Sequence, residues 1–419
     1  MKIQIFLLLL ISSIGFSQQS WTPFANLPEN FDGSRYDDVF FLTENLGWAA
    51  NGYNATINKT TDGGLTWTEQ YNNYTENTEY YFRNIEFLDA NIGFVGTLNG
   101  AFLKTINGGT TWTQVNLPSQ PPAICGLDCV GSSTIYGCGA YYSPAYVIKS
   151  IDSGVTWQFI NMESYAQSLV EVLFIDENIG YVSGNNSFGA IILKTVNGGL
   201  TWTNIYQGSI PGEYVWKLQI LSSNPNYMFG SIESIDPILG KLIKSNDGGL
   251  TFETKPFPDV DAQAVGFISP LKGWMGGHHT GFYETVDGGD SWTSINVGNN
   301  LNRIQFIGNT AYASGASIYK MSNNLTLSQF HEKSRTDLTI RVLENPIKNK
   351  LEIEIDFLNN DHILIDLYDG NGKLVKQLKN DTILSAKTCK FSFDFQYPSG
   401  TYFLNFHNNT GRQSVKIVK

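Results

Sequence analysis

A nine-residue segment recurs six times along this chain, and it constrains the fold more than any other feature of the sequence. Its first copy is Lys59-Thr60-Thr61-Asp62-Gly63-Gly64-Leu65-Thr66-Trp67. All copies keep Asp or Asn at the fourth position, Gly at the sixth and an aromatic residue at the ninth. The fourth and ninth residues are Asp62 and Trp67, Asn107 and Trp112, Asp152 and Trp157, Asn197 and Trp202, Asp247 and Phe252, and Asp287 and Trp292. The aromatic positions are 45, 45, 45, 50 and 40 residues apart.

Each residue type in the segment has a physical reason to be there. An Asp or Asn side chain accepts hydrogen bonds from the backbone N–H groups of its own turn, and glycine permits a positive φ. The aromatic side chain that follows can bury a large surface between neighbouring sheets. A period of about 40–50 residues with strand patterns between the turns is typical of one four-stranded blade of a β-propeller.

A seventh, incomplete unit follows the last copy. Residues 303–307, 311–314 and 317–321 have strand patterns, but no turn segment comes after them. The segment Trp21-Thr22-Pro23-Phe24 resembles the strand that follows a turn segment elsewhere in the chain. We therefore expect the N-terminal strand to complete the seventh sheet and close the ring, which removes an exposed sheet edge.

The turn segment resembles the Asp-box (BNR) repeat, Ser/Thr-x-Asp-x-Gly-x-x-Trp. By pattern the chain is similar to propellers of the photosystem II stability/assembly factor type, and sialidases and xyloglucanases carry the same box. The resemblance implies an all-β fold, with a seven-bladed β-propeller over residues 18–330. Because the box is a folding device, it implies little about function.

The C-terminal part has a different pattern. Residues 331–341 are polar and predict a linker, and residues 342–419 predict a small antiparallel β-sandwich. Asn345-Pro346, Leu367-Tyr368-Asp369, Gly400-Thr401-Tyr402-Phe403-Leu404 and the ending Val415-Lys416-Ile417-Val418-Lys419 resemble the type A C-terminal sorting domain of the type IX secretion system. The resemblance implies that the type IX machinery is a partner, and that the protein is released or attached at the cell surface. An accessory sandwich is the alternative, but it does not account for the Lys-ended last strand.

The N-terminus predicts a signal peptide over residues 1–17, with a Lys at position 2, an apolar run and small residues before Gln18. The run is shorter than the ~20 residues that span a bilayer, and no other segment is long enough. We expect a secreted protein with no transmembrane segment after cleavage.

Net charge limits the classes of partner, and the cysteine spacing limits the possible disulfides. Residues 18–330 contain 13 Lys+Arg and 27 Asp+Glu, a net of 13 − 27 = −14, so nucleic acid is not an expected partner. A disulfide of Cys138 with Cys125 or Cys129 is one interpretation of the local cysteines, and small buried residues are the other. Neither a metal site nor a cofactor motif is predicted.

Candidate ligand-binding residues lie on the face opposite the box turns, where loops are rich in aromatic side chains. Such rings suit the stacking of sugars or peptides, although each ring could equally pack against a blade edge. The candidates are Tyr81, Arg83, Tyr141, Tyr142, Trp216 and His279. No catalytic residue is predicted.

Two classes of function remain open. The first is a non-catalytic propeller that recognises a protein or glycan in the medium or at the cell surface. The second is a secreted glycoside hydrolase of the sialidase or xyloglucanase type. A xyloglucanase-like enzyme needs two opposed carboxylates, and nothing in the sequence marks a pair among the available Asp37, Asp38, Glu86, Glu171 and Glu213. Arg35 precedes Tyr36-Asp37-Asp38, which we expect to offset its charge and to weaken the sialidase alternative.

Overall fold

The structure is a computed structural model. It describes residues 20–28, 34–119, 121–139, 144–308, 310–322, 338–357, 361–369, 374–383, 387–408 and 411–419. The chain divides into two compact units, Met1–Leu327 and Ser328–Lys419.

The first unit consists of short strands in antiparallel four-stranded sheets, and its described residues form seven such sheets. The N-terminal strand is β1 (Thr22–Pro23). Sheet 1 contains β2 (Tyr36–Phe41), β3 (Gly47–Asn51), β4 (Thr56–Thr60) and β5 (Thr68–Asn72), and is followed by the helix α1 (Asn73–Glu76). Sheet 2 contains β6 (Phe82–Phe87), β7 (Gly93–Thr97), β8 (Phe102–Thr105) and β9 (Thr113–Gln114). Sheet 3 contains β10 (Gly126–Val130), β11 (Thr134–Gly139), β12 (Tyr146–Ser150) and β13 (Gln158–Asn161).

The remaining sheets of this unit follow the same order. Sheet 4 contains β14 (Ser168–Phe174), β15 (Gly180–Asn186), β16 (Gly189–Thr195) and β17 (Thr203–Gln207). Sheet 5 contains β18 (Tyr214–Ile220), β19 (Met228–Glu233), β20 (Lys241–Ser245) and β21 (Glu253–Pro256). Sheet 6 contains β22 (Ala262–Phe267), β23 (Gly273–Gly277), β24 (Tyr283–Thr285) and β25 (Thr293–Ser294). Sheet 7 contains β26 (Arg303–Ile307), β27 (Thr310–Ser314), β28 (Ile318–Ser322) and β1.

The sheets are arranged in a circle. The first strand of each sheet contacts the first strand of the next, from β2 through β6, β10, β14, β18 and β22 to β26, and β26 in turn contacts β2. The first strands therefore surround a central channel, and the all-β architecture that the sequence predicted is confirmed.

The N-terminal strand closes the circle, as the sequence predicted. Thr22 pairs with Lys320 and Pro23 with Tyr319, so β1 is the outer strand of sheet 7. Trp21 is buried beside it and stacks on Phe282 of sheet 6, with ring centroids 4.3 Å apart. One short segment thus joins the two ends of the first unit.

The box turns are held by their own side chains. Asp62 accepts the Thr66 N–H at 2.9 Å and the Thr66 hydroxyl at 2.6 Å, while the Thr60 hydroxyl accepts the Gly64 N–H at 2.8 Å. The two bonds from Thr66 hold the pKa of Asp62 at about 2. Asn107 makes the equivalent turn by donating its amide to the Thr111 hydroxyl at 2.9 Å. Both glycines of the first box have positive φ, 72° and 92°.

The box aromatic residues pack against the preceding sheet. Trp157 of sheet 3, for example, contacts Phe94 and Phe102 of sheet 2 at centroid distances of 5.8 and 5.1 Å. The box lysines point the other way, since Lys59 of sheet 1 donates to the Gly108 carbonyl of sheet 2 at 2.8 Å. A box whose lysine makes this bond therefore links its sheet to both neighbours.

The second unit contains two antiparallel sheets. One is formed by β29 (Leu338–Val342), β30 (Lys350–Phe357) and β33 (Lys387–Asp394), and the other by β31 (Asp361–Asp369), β32 (Leu374–Ile383), β34 (Thr401–Asn408) and β35 (Gly411–Val418). Apolar residues of both sheets, such as Ile353 and Leu404, form one core. The predicted linker 331–341 overlaps β29, because Leu338, Ile340 and Val342 alternate with polar residues and pair with β30. Its other residues, 331–337, lie outside the described residues.

The structure contains no disulfide between Cys138 and either predicted partner, although Cys125 lies beside it, with its N–H bonded to the Cys138 carbonyl at 2.7 Å. The structure records Cys129 and Cys138 as free thiols, and Cys389 as a third. Cys129 pairs with Ile135, three positions from Cys138 along β11, which is about 10 Å of strand and too far for a bridge. Among the described residues, no helix has the length and apolar character that a bilayer crossing requires. The predicted signal peptide lies outside the described residues.

Candidate functional site

The first strands share one irregularity that aims a side chain at the channel. Five of them have a β-bulge at an equivalent position, where one residue is skipped in the pairing with the second strand. Sheets 3 and 7 repeat this geometry at the start of their first strands. There the Cys125 N–H donates to the Cys138 carbonyl, and the Asn302 N–H donates to the Ser314 carbonyl. We call these seven residues the bulge ring: Asp37, Arg83, Cys125, Val170, Trp216, Gln263 and Asn302. Bulges re-aim side chains in this way in many functional sites.

Side chains of the bulge ring meet across the channel. Arg83 donates to Asp37 at 2.6 Å and to Asn302 at 3.2 Å, and its guanidinium lies 5.2 Å from the centroid of the Trp216 ring. The Trp216 indole N–H also donates to Asn302, at 3.3 Å. These residues come from sheets 1, 2, 5 and 7, so together they form a polar plug within the channel.

Arg35 extends the plug toward the aromatic-loop face. It donates to Asp37 at 3.0 Å, to Gln263 at 3.0 Å and to Asn300 at 3.1 Å. As predicted, its charge is offset by Asp37. Gln263 also donates to Glu233, whose pKa is raised to about 7 by burial.

The structure brings two of the predicted ligand-binding residues together but buries them. Arg83 is 4% exposed and Trp216 5% exposed, so both belong to the plug rather than to an open surface. Tyr81 precedes β6 at the same end of the channel and is half-buried, and burial, followed by the Asp37 carboxylate, raises its pKa. Gly52 is required beside it, because a Cβ there would collide with the Asp37 carboxylate.

The other predicted residues lie apart from the plug. His279 is exposed on the loop after β23, with its Nδ1 atom 3.2 Å from Asp261 and its backbone N–H bonded to Asp259 at 3.1 Å. Tyr141 and Tyr142 lie outside the described residues. Gln263 and Asn302 cannot be recognised as site residues from the sequence, because only the strand register reveals that they share a position with Arg83.

A cavity of about 500 Å³ occupies the other half of the channel. Its polar lining includes Asp128, Glu171, Lys217 and Arg303, and its apolar lining includes Leu218, Ile220, Val265, Ile304 and Phe306. It also reaches Ile175, Ser222 and Ser223, which follow the first strands of sheets 4 and 5. At this end the box turns lie beside the turns that follow the first strands. In sheet 4, for example, Gly198 of the box turn donates its N–H to the carbonyl of Asn178, in the turn after β14, at 2.8 Å. This lower cavity therefore opens on the box-turn face.

The two basic side chains that line the lower cavity, Arg303 and Lys217, are each paired with acidic side chains. Arg303 contacts Asp38 at 3.0 Å and Glu86 at 3.2 Å, and Lys217 contacts Glu171 at 2.5 Å. Asp128 accepts the backbone N–H of Phe174. Burial raises the pKa of Glu86 and raises the pKa of Asp128 to about 7.

None of the box carboxylates lines this cavity. Asp62, Asp152, Asp247 and Asp287 are occupied by the hydrogen bonds of their own turns. Within the described part of the chain, no group of three His, Cys, Asp or Glu side chains is arranged to hold a metal ion.

The circle of four-stranded sheets, the box turns and the blocked central channel define a β-propeller protein, with a second β domain at its C-terminus. Residues 17–146 match the family model of the photosystem II assembly factor YCF48, and residues 342–419 match the model of secretion-system C-terminal sorting domains. No curated protein matches the chain. A sorting domain of this kind implies export to the cell surface or the extracellular space.

Solved structures show the same fold at low sequence identity. YCF48 bound to D1 peptide is 19% identical, with a TM-score of 0.55 over 73% of this chain and 97% of that one. PorZ, a surface component of the type IX secretion system of Porphyromonas gingivalis, is 11% identical, with a TM-score of 0.53 over 94% of this chain and 60% of that one. An ancestral GH74 enzyme is 14% identical, with a TM-score of 0.52 over 94% and 63%. At these identities the comparisons show a β-propeller fold.

Proposed function

We propose that this chain is a non-catalytic binding protein, exported by the type IX secretion system and active at the cell surface or in the medium. In this proposal residues 18–330 form one seven-bladed propeller, and residues 342–419 form the sandwich that the secretion machinery recognises. The cyclic contacts among the seven sheets and the pairing of β1 with β28 support the blade count. The two sheets of the second unit, which share one core, support the sandwich.

The positions of the exposed aromatic rings support our assignment of the binding face to the loops opposite the box turns. Tyr53, Tyr74, Tyr165 and Phe188 are the large aromatic side chains that are exposed among the described residues, with 37–92% of their surface accessible. All four lie in connections that enter a first strand or join a second strand to a third, with Tyr74 in α1, at the end of the channel that holds Arg35 and Tyr81. The box-turn face exposes aliphatic side chains instead, such as Leu65 and Leu200. Exposed rings above a rigid polar plug suit a sugar or peptide ligand.

The peptide class receives further support from one structural neighbour, because YCF48 is described as bound to D1 peptide. Here a peptide would lie across the loops, since the plug fills the channel beneath them.

Arrays of glycans and peptides test this proposal. Full-length protein should bind a defined set of ligands, and Tyr53→Ala with Phe188→Ala should weaken that binding about tenfold or more. Leu65→Ala with Leu200→Ala is the matched control, because it removes two exposed apolar side chains from the other face. Equal losses in both double variants would contradict the assignment of the binding face.

One observation favours the glycosidase alternative and makes it worth a separate test. Asp128 and Glu171 line the same cavity, and a carboxyl with a pKa of about 7 is suited to act as a general acid. Chromogenic glycosides and polysaccharides provide the assay. Turnover that is lost in Asp128→Asn and in Glu171→Gln, but kept in Asp261→Asn, would overturn the non-catalytic proposal.

A further inference from the structure

We propose that the lower cavity binds an uncharged hydrocarbon group, such as the alkyl chain of a small amphiphile. The polar plug of Asp37, Arg83 and Asn302 separates this cavity from the aromatic-loop face, so the channel is closed at the inner end of the cavity. The site goes beyond the proposed function, since its ligand would lie on the other side of the plug.

The charges in the cavity lining balance. Its charged side chains are two carboxyl groups and two cations, Asp128, Glu171, Lys217 and Arg303. Lys217 contacts Glu171 at 2.5 Å, and Arg303 is paired with carboxyl groups outside the lining. Asp128 accepts the Phe174 N–H, and burial raises its pKa to about 7, which makes its neutral form common at pH 7. A charged group inside the cavity would therefore lose its water without gaining an unpaired charge of the opposite sign.

The two glutamines of the wall are also satisfied within the protein. Gln219 accepts the Phe267 N–H at 2.6 Å and donates to the carbonyl of the same residue at 2.8 Å. Gln305 makes the same pair of bonds with Phe41, at 2.7 and 3.2 Å. Among the described residues, the buried side-chain N and O atoms that lack a hydrogen-bond partner include none from this wall. A hydroxyl or amide group inside the cavity would therefore give up hydrogen bonds to water and find no unpaired partner.

Apolar surface, by contrast, is left open along the wall. Four apolar side chains of the lining are half-buried, and they lie in or directly after the first strands of sheets 4, 5, 6 and 7: Leu173, Ile220, Ile268 and Phe306. An alkyl chain that covers them removes apolar surface from water, which strengthens binding about fourfold for each buried methylene. About 500 Å³ is room for a small organic molecule. Ser222 and Ser223 are exposed at the mouth, so a single polar end of the ligand can stay in water there.

Isothermal titration calorimetry on the full-length protein tests this with 1-butanol, 1-pentanol and 1-hexanol. The affinity should increase about fourfold with each added methylene, and binding should have a negative heat-capacity change. The controls, 1,6-hexanediol and 1,6-diaminohexane, have a polar group at both ends, so one end must enter the cavity. Each should bind at least about tenfold more weakly than 1-hexanol. An affinity that is independent of chain length, a control that binds as tightly as 1-hexanol, or no binding of 1-hexanol up to its solubility limit would overturn the proposal.

Variants locate the site. Ile220→Asn places an amide in the wall and should weaken 1-hexanol binding about tenfold. Leu200→Asn is the matched control, because Leu200 is an exposed aliphatic residue of the same face outside the lining, and it should leave binding unchanged. Equal affinities of the two variants would overturn the proposal, and if Ile220→Asn does not fold, the chain-length series on the wild-type protein decides.

Two further measurements identify the source of the alkyl chain and separate the two ligands. Monohexanoylglycerol presents the chain as a lipid does, so tighter binding than that of 1-hexanol supports a lipid acyl chain as the natural group, and weaker binding supports a free alkyl compound. The double variant Tyr53→Ala with Phe188→Ala should bind 1-hexanol as the wild type does. Failure of the loop face to bind glycans or peptides would therefore leave this site intact.

Discussion

The ammonium group of Lys320 donates a hydrogen bond to the carbonyl of Gly63 at 2.9 Å, which joins the last sheet of the circle to the box turn of the first. The same link recurs between other neighbouring sheets. Lys59 donates to Gly108, Lys104 to Ser153, Lys149 to Gly198 and Lys244 to Gly288, at 2.7–3.1 Å. The recurring lysine is thus a contact between sheets, and the circle closes with the same bond that joins four other pairs of neighbouring sheets.

Lys320→Met should lower the free energy of unfolding by about 1–2 kcal/mol, because a hydrogen bond from a charged donor is lost while the aliphatic stem is kept. Lys194→Met is the matched control. Lys194 occupies the equivalent position and lies over the Tyr181 ring, but among the described residues no hydrogen bond joins it to the next box turn. Thermal unfolding followed by circular dichroism measures both variants. Equal losses would show that the carbonyl contact contributes nothing.

Trp21→Ala should destabilise the first unit by about 3–5 kcal/mol, the usual effect of removing a buried Trp. Trp21 is 1% exposed and contacts Phe282 and Trp274 of sheet 6, so its loss should also free the β1 segment from sheet 7. Urea denaturation gives the free energy. Hydrogen exchange of the Phe24 N–H, which donates to the Ile318 carbonyl at 3.0 Å, reports the pairing of the N-terminal segment with sheet 7. An unchanged midpoint would mean that the N-terminal strand does not close the circle.

Much of the fold could be predicted because its information is local. Asp62, Gly63 and Trp67 act within nine residues, so the turn, its glycine conformations and its aromatic side chain can be recognised without a partner strand. The closure of the circle by the N-terminal strand could also be predicted, because Trp21 has no box before it and the last three strands have none after them. The short strand β29 was missed, since its alternation is brief and its neighbours are polar.

The channel could not be predicted in the same way. The seven bulge-ring residues share a position in their strands but no chemical type, so no recurring residue marks the position in the sequence. Their equivalence depends on the register of each first and second strand. Their residue type and their position near a loop predict Arg83 and Trp216 as ligand-binding residues, and only the structure reveals that both are buried in the plug. The lower cavity combines residues of five sheets, which no sequence separation reveals.

The box aspartates should make the first unit sensitive to acid. Hydrogen bonds from the Thr66 side chain and backbone hold the pKa of Asp62 at about 2, and equivalent bonds lower the pKa values of Asp152, Asp247 and Asp287. Each carboxylate has a lower pKa in the folded state than in the unfolded chain, where it is about 3.9. Its contribution is present above pH 4 and is lost as the pH falls toward 2.

The quadruple variant with Asn at positions 62, 152, 247 and 287 should therefore show a shallower decrease of the melting temperature between pH 4 and pH 2. It should remain folded at pH 7, because Asn107 and Asn197 already form this turn in the wild-type chain. Differential scanning calorimetry at several pH values measures the slopes. Parallel slopes for the variant and the wild type would exclude the box carboxylates as the source of acid sensitivity.

Removal of residues 345–419 should stop the protein in the periplasm. The deleted residues include most of the segment that matches the sorting-domain model, and they belong to the unit Ser328–Lys419, whereas all seven propeller sheets lie in Met1–Leu327. Cell fractionation and immunoblotting of a type IX-competent host compare the truncated and full-length chains. A fluorescent reporter that carries a signal peptide and residues 342–419 is the converse test, and it should reach the cell surface or the medium. Export of the truncated chain together with retention of the reporter would show that the sorting information lies in the propeller, because the C-terminal sheets would then be neither required nor sufficient.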